Sequence, residues 1–211
     1  MNVLPYGDRA VLIEPADPDG VLPLRNWLIE QRHSGIVTVL PAARTVLVEV
    51  DPAELPVPRL RELLAAAEDS AAATEPSDDQ PIELPVRYDG ADLDPVARET
   101  GLTTEELIAL HSGGEYTVRF CGFSPGFGYL TGLDRRLWLP RLTTPRPAVP
   151  AGSVAIAGEY TGVYPRASPG GWRLLGSTDV PLFVLDRQPP ALLAPGVRVR
   201  FVPHRSGKTP R

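Results

Sequence analysis

CGFSPGFGYL (Cys121–Leu130), PRLTTPRPAVPAGSVAIAG (Pro140–Gly158) and YPRASPGGW (Tyr164–Trp172) fall within one stretch, Arg119–Gly176, whose reading decides the fold. Gly and Pro are dense there without forming a repeat. Between them stand Phe120, Phe123, Phe127, Tyr129, Trp138, Tyr160, Tyr164 and Trp172. A disordered Gly/Pro tract lacks such aromatics and has too little apolar surface to bury. The pattern therefore predicts tight turns set on a β scaffold, with backbone angles that Gly and Pro accept. Loops held on a rigid scaffold are favoured places for binding chemistry.

The flanks continue the β reading. Tyr116, Val118 and Phe120 alternate with Thr117, Arg119 and Cys121, and Val154 shares a face with Ile156. Val197, Val199 and Phe201 alternate with Arg198, Arg200 and Val202, and Pro181–Leu185 is a short apolar run. Short strands with turns every ~8–12 residues predict a closed barrel or a sandwich. Ahead of them lie two helix signals. Asp94-Pro95 supplies a cap and a first-turn proline, with Gly101 as the stop. Thr103-x-x-Glu106 is a capping box that opens a second helix ending near Leu110 or His111.

Residues 1–80 read as a small α+β domain. Ala10–Glu14 is a strand, and Leu24–Arg32 a helix with Trp27 toward the core. Ile36–Leu40 and Thr45–Val50 form a hairpin, and Leu60, Leu63, Leu64 and Ala67 make a second helical stripe. With a further strand at Ile82–Arg87, the order matches a split β-α-β sandwich. Asp69–Pro81 is acidic and poor in large apolar residues, so it is either a linker or an exposed loop.

Composition excludes several function classes. Net charge is −5, against sequence-independent nucleic-acid binding. The 25 prolines are about twice the usual ~5% share, which implies many loops. Lys208 is the only lysine, so no internal Schiff-base lysine exists and no P-loop is present. A single Cys, Cys121, excludes an internal disulfide, and the scattered His33, His111 and His204 argue against a metal cluster. Without a signal peptide or an apolar run of ~18 residues, the expected location is the cytoplasm, away from membranes.

His111 reads in two ways: a helix-end side chain satisfying the last carbonyls, or a proton-transfer group at the barrel mouth. Phe123–Tyr129 is either a substrate loop, with backbone N–H groups exposed by glycines, or an aromatic-anchored turn. Ser124 and Ser168 lack a nucleophile motif. Arg141, Arg146, Arg166 and Arg173 are candidate carboxylate or phosphate ligands or simply surface residues. Glu159 is a base, an Arg partner or a solvated turn residue, and Cys121 reads as a packed thiol. Exposed together, Trp138 and Phe127 would mark a partner surface.

Ordered motifs carry a resemblance across nearly the whole chain. They are Tyr6-Gly7-Asp8-Arg9-Ala10, Gly122-Phe123-x-Pro125-Gly126-Phe127-x-Tyr129-Leu130, Pro140-Arg141, Pro145-Arg146 and Val149–Val154. Thr161-Gly162-x-Tyr164-Pro165, Ser168–Trp172 and Pro195-Gly196-x-x-Val199-x-Phe201 complete them. The chain resembles the family of 5-oxoprolinase B subunits, also called allophanate hydrolase subunit 1, which includes the KipI inhibitor of a histidine kinase. The resemblance implies an α+β N-terminal domain followed by a mainly-β, cyclophilin-like barrel over 81–205, with a tail at 206–211. It implies a component of a bacterial ATP-dependent 5-oxoprolinase, opening the 5-oxoproline lactam to L-glutamate with the A and C subunits, and inactive alone. ATP would be used by the complex. The implied roles are His111 as a catalytic proton donor or acceptor and Arg146 as a carboxylate anchor. Phe123, Pro125, Gly126, Phe127, Tyr129, Ser168 and Gly170 would line the substrate pocket. A KipI-like kinase inhibitor is the second reading. Allophanate or urea amide hydrolysis is weaker, because a Ser-Lys amidase needs a lysine other than Lys208. The chain departs from the family pattern at Glu159-Tyr160, where Gly-Gln is usual, and at Ser177, where Arg is usual.

Overall fold

The structure, a computed structural model, describes residues 1–70 and 80–204, and of residues 66–70 the backbone alone. Most of the Asp69–Pro81 segment and the tail at 206–211, with Lys208, lie outside the described residues. The chain divides into two compact units, Met1–Asp78 and Asp79–Arg211. The expected class, an α+β unit followed by a mainly-β barrel, is what is found.

The first unit runs β1 (Asn2–Tyr6), β2 (Ala10–Glu14), α1 (Val21–Glu30), β3 (Ile36–Pro41), β4 (Val46–Val50) and α2 (Val57–Ser70). The sheet order is β1-β2-β4-β3, antiparallel throughout. Since β2 and β3 both run against β4, they are parallel to each other with β4 between them, a split β-α-β unit around α1. β1 adds a hairpin partner that sequence reading missed. Val11 and Ile13 of β2, and Val46, Val48 and Val50 of β4, alternate into one core with Leu24, Leu28, Leu60 and Leu64. Trp27 is only partly buried at the margin of this core. Val21, Leu24 and Leu28 fill the helix's inner stripe instead.

The second unit runs β5 (Ile82–Val86), α3 (Leu93–Thr100), α4 (Thr104–Gly113), β6 (Tyr116–Cys121) and β7 (Gly128–Thr131). It continues with β8 (Arg146–Val149), β9 (Ser153–Ala157), β10 (Tyr160–Val163), β11 (Ser168–Gly170), β12 (Arg173–Ser177) and β13 (Arg198–Pro203). Seven strands pair in the order β12-β9-β10-β7-β6-β13-β5. The strand expected at Ile82–Arg87 thus joins this sheet, parallel to β13, and not the first one. The sheet ends meet where Arg87 and Ser177 exchange backbone hydrogen bonds of 2.8 and 2.7 Å, so the barrel nearly closes. β8 and β11 form a separate two-stranded ribbon.

Local chemistry sets the helix ends. The Thr103–Glu106 capping box is present, with both reciprocal bonds, and α4 continues to Gly113. Gly101 ends α3 at φ +70. The cap of α3 is Asp92 and not Asp94. Asp92 makes no side-chain cap, because its carboxylate is engaged elsewhere. Pro181–Leu185 is no strand: only Phe183 makes an isolated bridge, to Ala191. Arg187 fills that role with its guanidinium, donating to the carbonyls of Pro181, Leu182, Pro189 and Pro190. One cation thus supplements the two backbone bonds of this bridge, Val184 N–H to Pro190 O at 3.0 Å and Leu192 N–H to Leu182 O at 2.8 Å.

Candidate functional site

The Gly122–Phe127 loop joins β6 to β7, and its shape follows from its residue types. Ser124 N–H donates to Gly122 O at 2.6 Å around Phe123, whose φ is +64. Phe127 N–H donates to Ser124 O at 3.0 Å, with Pro125 second and Gly126 third at φ +83. Those features define a type II turn. A Cβ on Gly126 would lie 2.8 Å from Phe183 Cβ, so the turn is wedged against the Arg187-stapled segment. A left-handed Phe is a strained choice and the only one of its kind in the second unit among the described residues. It holds the Phe123 ring 58% exposed.

Behind Phe123 an aromatic ledge is built on the outer face of the barrel. Phe127 is buried and meets Trp172, Tyr164 and Tyr129 edge-to-face, with centroids 5.0–5.4 Å apart. Tyr129 stacks on Phe120 at 4.2 Å and meets Tyr160 edge-on. Edge-to-face rings in this range are favourable pairs. Phe120, Tyr129 and Tyr160 stay half-buried, and Phe123 joins the cluster through Phe127 and Tyr164. Burial first, and then a hydrogen bond to Glu159, push the Tyr160 hydroxyl up to about 12; the nearby Arg119 charge opposes this. At neutral pH Tyr160 is therefore a neutral donor. Glu159, at the tip of the β9–β10 hairpin, serves this hydroxyl, a partnership the sequence reading missed.

The expected residues do not all converge on the ledge. Phe123, Phe127 and Tyr129 belong to it, with Pro125 and Gly126 shaping its edge. Gly170 is needed because a Cβ there would stand 2.3 Å from the Tyr164 hydroxyl. Ser168 opens β11, paired with Val149. The hydroxyls of Ser124 and Ser168 are buried without a hydrogen-bond partner among the described residues.

Arg146, expected as an anchor for a substrate carboxylate, is paired within the fold. Its Nη2 already lies 2.7 Å from Asp92 Oδ1, and Asp92 Oδ2 accepts the Leu174 N–H at 2.7 Å. Arg173 is likewise held by Glu99, and Arg87 by Asp179 beside Ser177. Arg141 and Arg166 are exposed. Cys121 is exposed and not packed, its thiol 3.4 Å from Leu193 O. Trp138 is exposed while Phe127 is buried, so the two form no joint surface patch.

His111 is corrected as well: it is fully buried and does not stand at a barrel mouth. Tyr160 and Thr161 are neighbours on β10 and project to opposite faces. Tyr160 joins the ledge, whereas Thr161 points inward to His111, so the sheet separates His111 from the ledge. Thr161 Oγ1 spends its proton on Ala155 O (3.1 Å), so it must accept from His111 Nε2 (2.9 Å). Nδ1 then accepts from Tyr88 Oη at 2.8 Å. The ring also stacks on Phe201 at 4.6 Å. Burial pushes its pKa down to about 3, in keeping with a fixed neutral tautomer.

The fold is an α+β unit followed by a nearly closed β barrel that carries an aromatic ledge, and its described residues form no metal-ligand cluster. The family described as carboxyltransferase domain, subdomain C and D, matches residues 1–193, and the chain belongs to it. It is 42% identical to the B subunit of 5-oxoprolinase from Escherichia coli O157:H7 over 209 residues, 95% of each chain. It is 38% identical to the Haemophilus influenzae protein of the same name, covering 96% of this chain and 97% of that one. Among solved structures, TTHA0988 superposes with TM-score 0.80 at 38% identity over 96% of this chain, which spans only 41% of that longer chain. Kluyveromyces lactis urea carboxylase shares the fold at TM-score 0.64 and 20% identity, over 96% of this chain and 22% of that one. Among the described residues no helix is long and apolar enough to cross a membrane.

Proposed function

We propose that this chain is the B subunit of a 5-oxoprolinase, acting with other subunits to open the 5-oxoproline lactam to glutamate. The observation that carries the reading is 42% identity over 95% of both chains to a relative bearing that name. The site's chemistry supports a shared active centre. The ledge offers aromatic surface around the exposed Phe123 ring, with the neutral Tyr160 hydroxyl held by Glu159 at its margin, which suits a small amide ring. His111, the expected proton-transfer group, is sealed in the core, which supports a catalytic group supplied by a partner.

The sequence offers no Walker-type phosphate site. No P-loop exists and the sole lysine is Lys208. ATP use is therefore assigned to the assembled complex, and no step on this chain is routed through it. The ledge residues Phe123, Tyr129 and Tyr160 would bind and orient the ring and exclude water from it.

The test is glutamate release from 5-oxoproline, with and without ATP, by this chain alone, by the other subunits alone and by the mixture. Turnover only in the complete, ATP-supplied mixture is expected. Full turnover without this chain overturns the reading.

A further inference from the structure

The first unit carries a feature that the ledge does not explain. Leu4 pairs with Leu12, Leu12 with Leu47, and Leu47 with Leu40. One leucine from each of the four strands thus stands in a single cross-strand row. The row is on the face opposite the core, because the alternating partners Val11, Ile13, Val46 and Val48 fill the core with the helices. Leu4 is 41% exposed and Leu40 53%, and Tyr6, beside the row, is 59% exposed. A solvated face of an antiparallel sheet ordinarily alternates to polar residues. An unbroken apolar row, widened by Tyr6 and by Val37 at the β3 bulge, is the mark of an interaction surface.

Charge decides between occupants. Glu14 and Glu49 flank the row on either side, on the same face as Leu12 and Leu47. In a face-to-face pairing of two copies, a two-fold axis along the row sets the Glu14 flank against the Glu49 flank. An axis along the strands sets each flank against its own kind. Carboxylate faces carboxylate either way. The exposed pair of Glu14 with Arg44, at 3.7 Å, offsets little of this. The face suits a partner with an apolar strip bordered by Arg or Lys.

We propose that the Leu4–Leu12–Leu47–Leu40 face docks a separate subunit that presents an apolar strip flanked by cations. This rests on the reading of the chain as one subunit of an assembly. The test co-expresses the full chain with the other 5-oxoprolinase subunits of the same genome and measures both their affinity and glutamate release. Leu4→Glu with Leu40→Glu is compared with wild type and with Arg61→Glu, on the helical side of the same unit. The edge leucines are chosen because they are half-exposed, and circular dichroism and Tm check that the variant folds.

The expected result is at least tenfold weaker binding for the leucine variant and unchanged binding for Arg61→Glu. Wild-type affinity in the folded leucine variant overturns the proposal, as does a wild-type chain that binds none of the subunits. A wild-type dimer that the leucine variant turns to monomer also overturns it in favour of self-pairing. Lost binding with no glutamate release from the wild-type complex would keep the docking face and discard the 5-oxoprolinase reading. Intact binding with full turnover would do the reverse.

Discussion

His111 Nε2 donates to Thr161 Oγ1 across 2.9 Å, and through it the C-terminal turn of α4 is tied to the middle of the barrel wall. The bond places a titratable ring in the core as a neutral strut.

His111 makes stability depend on pH. Its pKa falls from the ordinary 6.5 to about 3 on folding, so the unfolded chain binds the proton first as pH drops. The stabilisation is complete above pH 6.5 and is lost progressively toward pH 3, at about 1.4 kcal/mol per pH unit. Urea unfolding at pH 7, 6 and 5 should show this slope in wild type, and His111→Gln should flatten it. Equal slopes would refute the buried neutral state.

The Arg146–Asp92 pair predicts a stability loss with a specific coupling. Arg146→Ala strands the buried Asp92 carboxylate and should cost about 3 kcal/mol. Asp92→Ala combined with Arg146→Ala should cost less than the sum of the single changes. Thermal unfolding of the four proteins reads this directly. If Arg146 instead binds substrate, Arg146→Ala raises KM in the complex and leaves Tm in place.

Phe123→Ala separates function from folding. The ring is more than half exposed, so stability should change by less than about 1 kcal/mol. Turnover of the assembled enzyme should fall at least tenfold, because the ledge loses its outer edge. Wild-type turnover would remove Phe123 from the site.

Arg187→Ala tests the stapled segment. Losing four carbonyl contacts should cost about 2 kcal/mol. Amide exchange should quicken at Val184 and Leu192, whose N–H groups bond within the segment. Unchanged exchange would mean that packing alone holds it.

The sequence made some features plain. SPGF announced a tight turn, Thr103-x-x-Glu106 a capping box, and Gly101 a helix stop. Ala10–Glu14 reads as a strand from its apolar run, but which of its residues face inward has no signal there, since Leu12 is as apolar as Val11 and Ile13. Other features had no local signal. Pro181–Leu185 is apolar like a strand, yet it makes a single isolated bridge, and the Arg187 guanidinium shares its carbonyls with the two backbone bonds there. Asp94-Pro95 looked like a cap, but Asp92 holds the position and spends its carboxylate on a distant arginine. The resemblance and the spacing imply chemistry for His111 and Arg146, and in the fold each already has partners, Tyr88 and Thr161 for the one and Asp92 for the other.

The sequence by itself determined the Ser124–Phe127 turn, the Thr103–Glu106 capping box, the Gly101 stop and the α+β-then-β class, because such patterns are carried by residues within about four positions of one another. Tertiary structure alone decided that Arg87 and Ser177 close the barrel, that Arg146 meets Asp92 54 residues away, and that His111 meets Thr161 50 residues away. It alone aligned Leu4, Leu12, Leu47 and Leu40 into one row. Strand register creates such neighbours, and register is a property of pairing across the whole sheet that no short window contains.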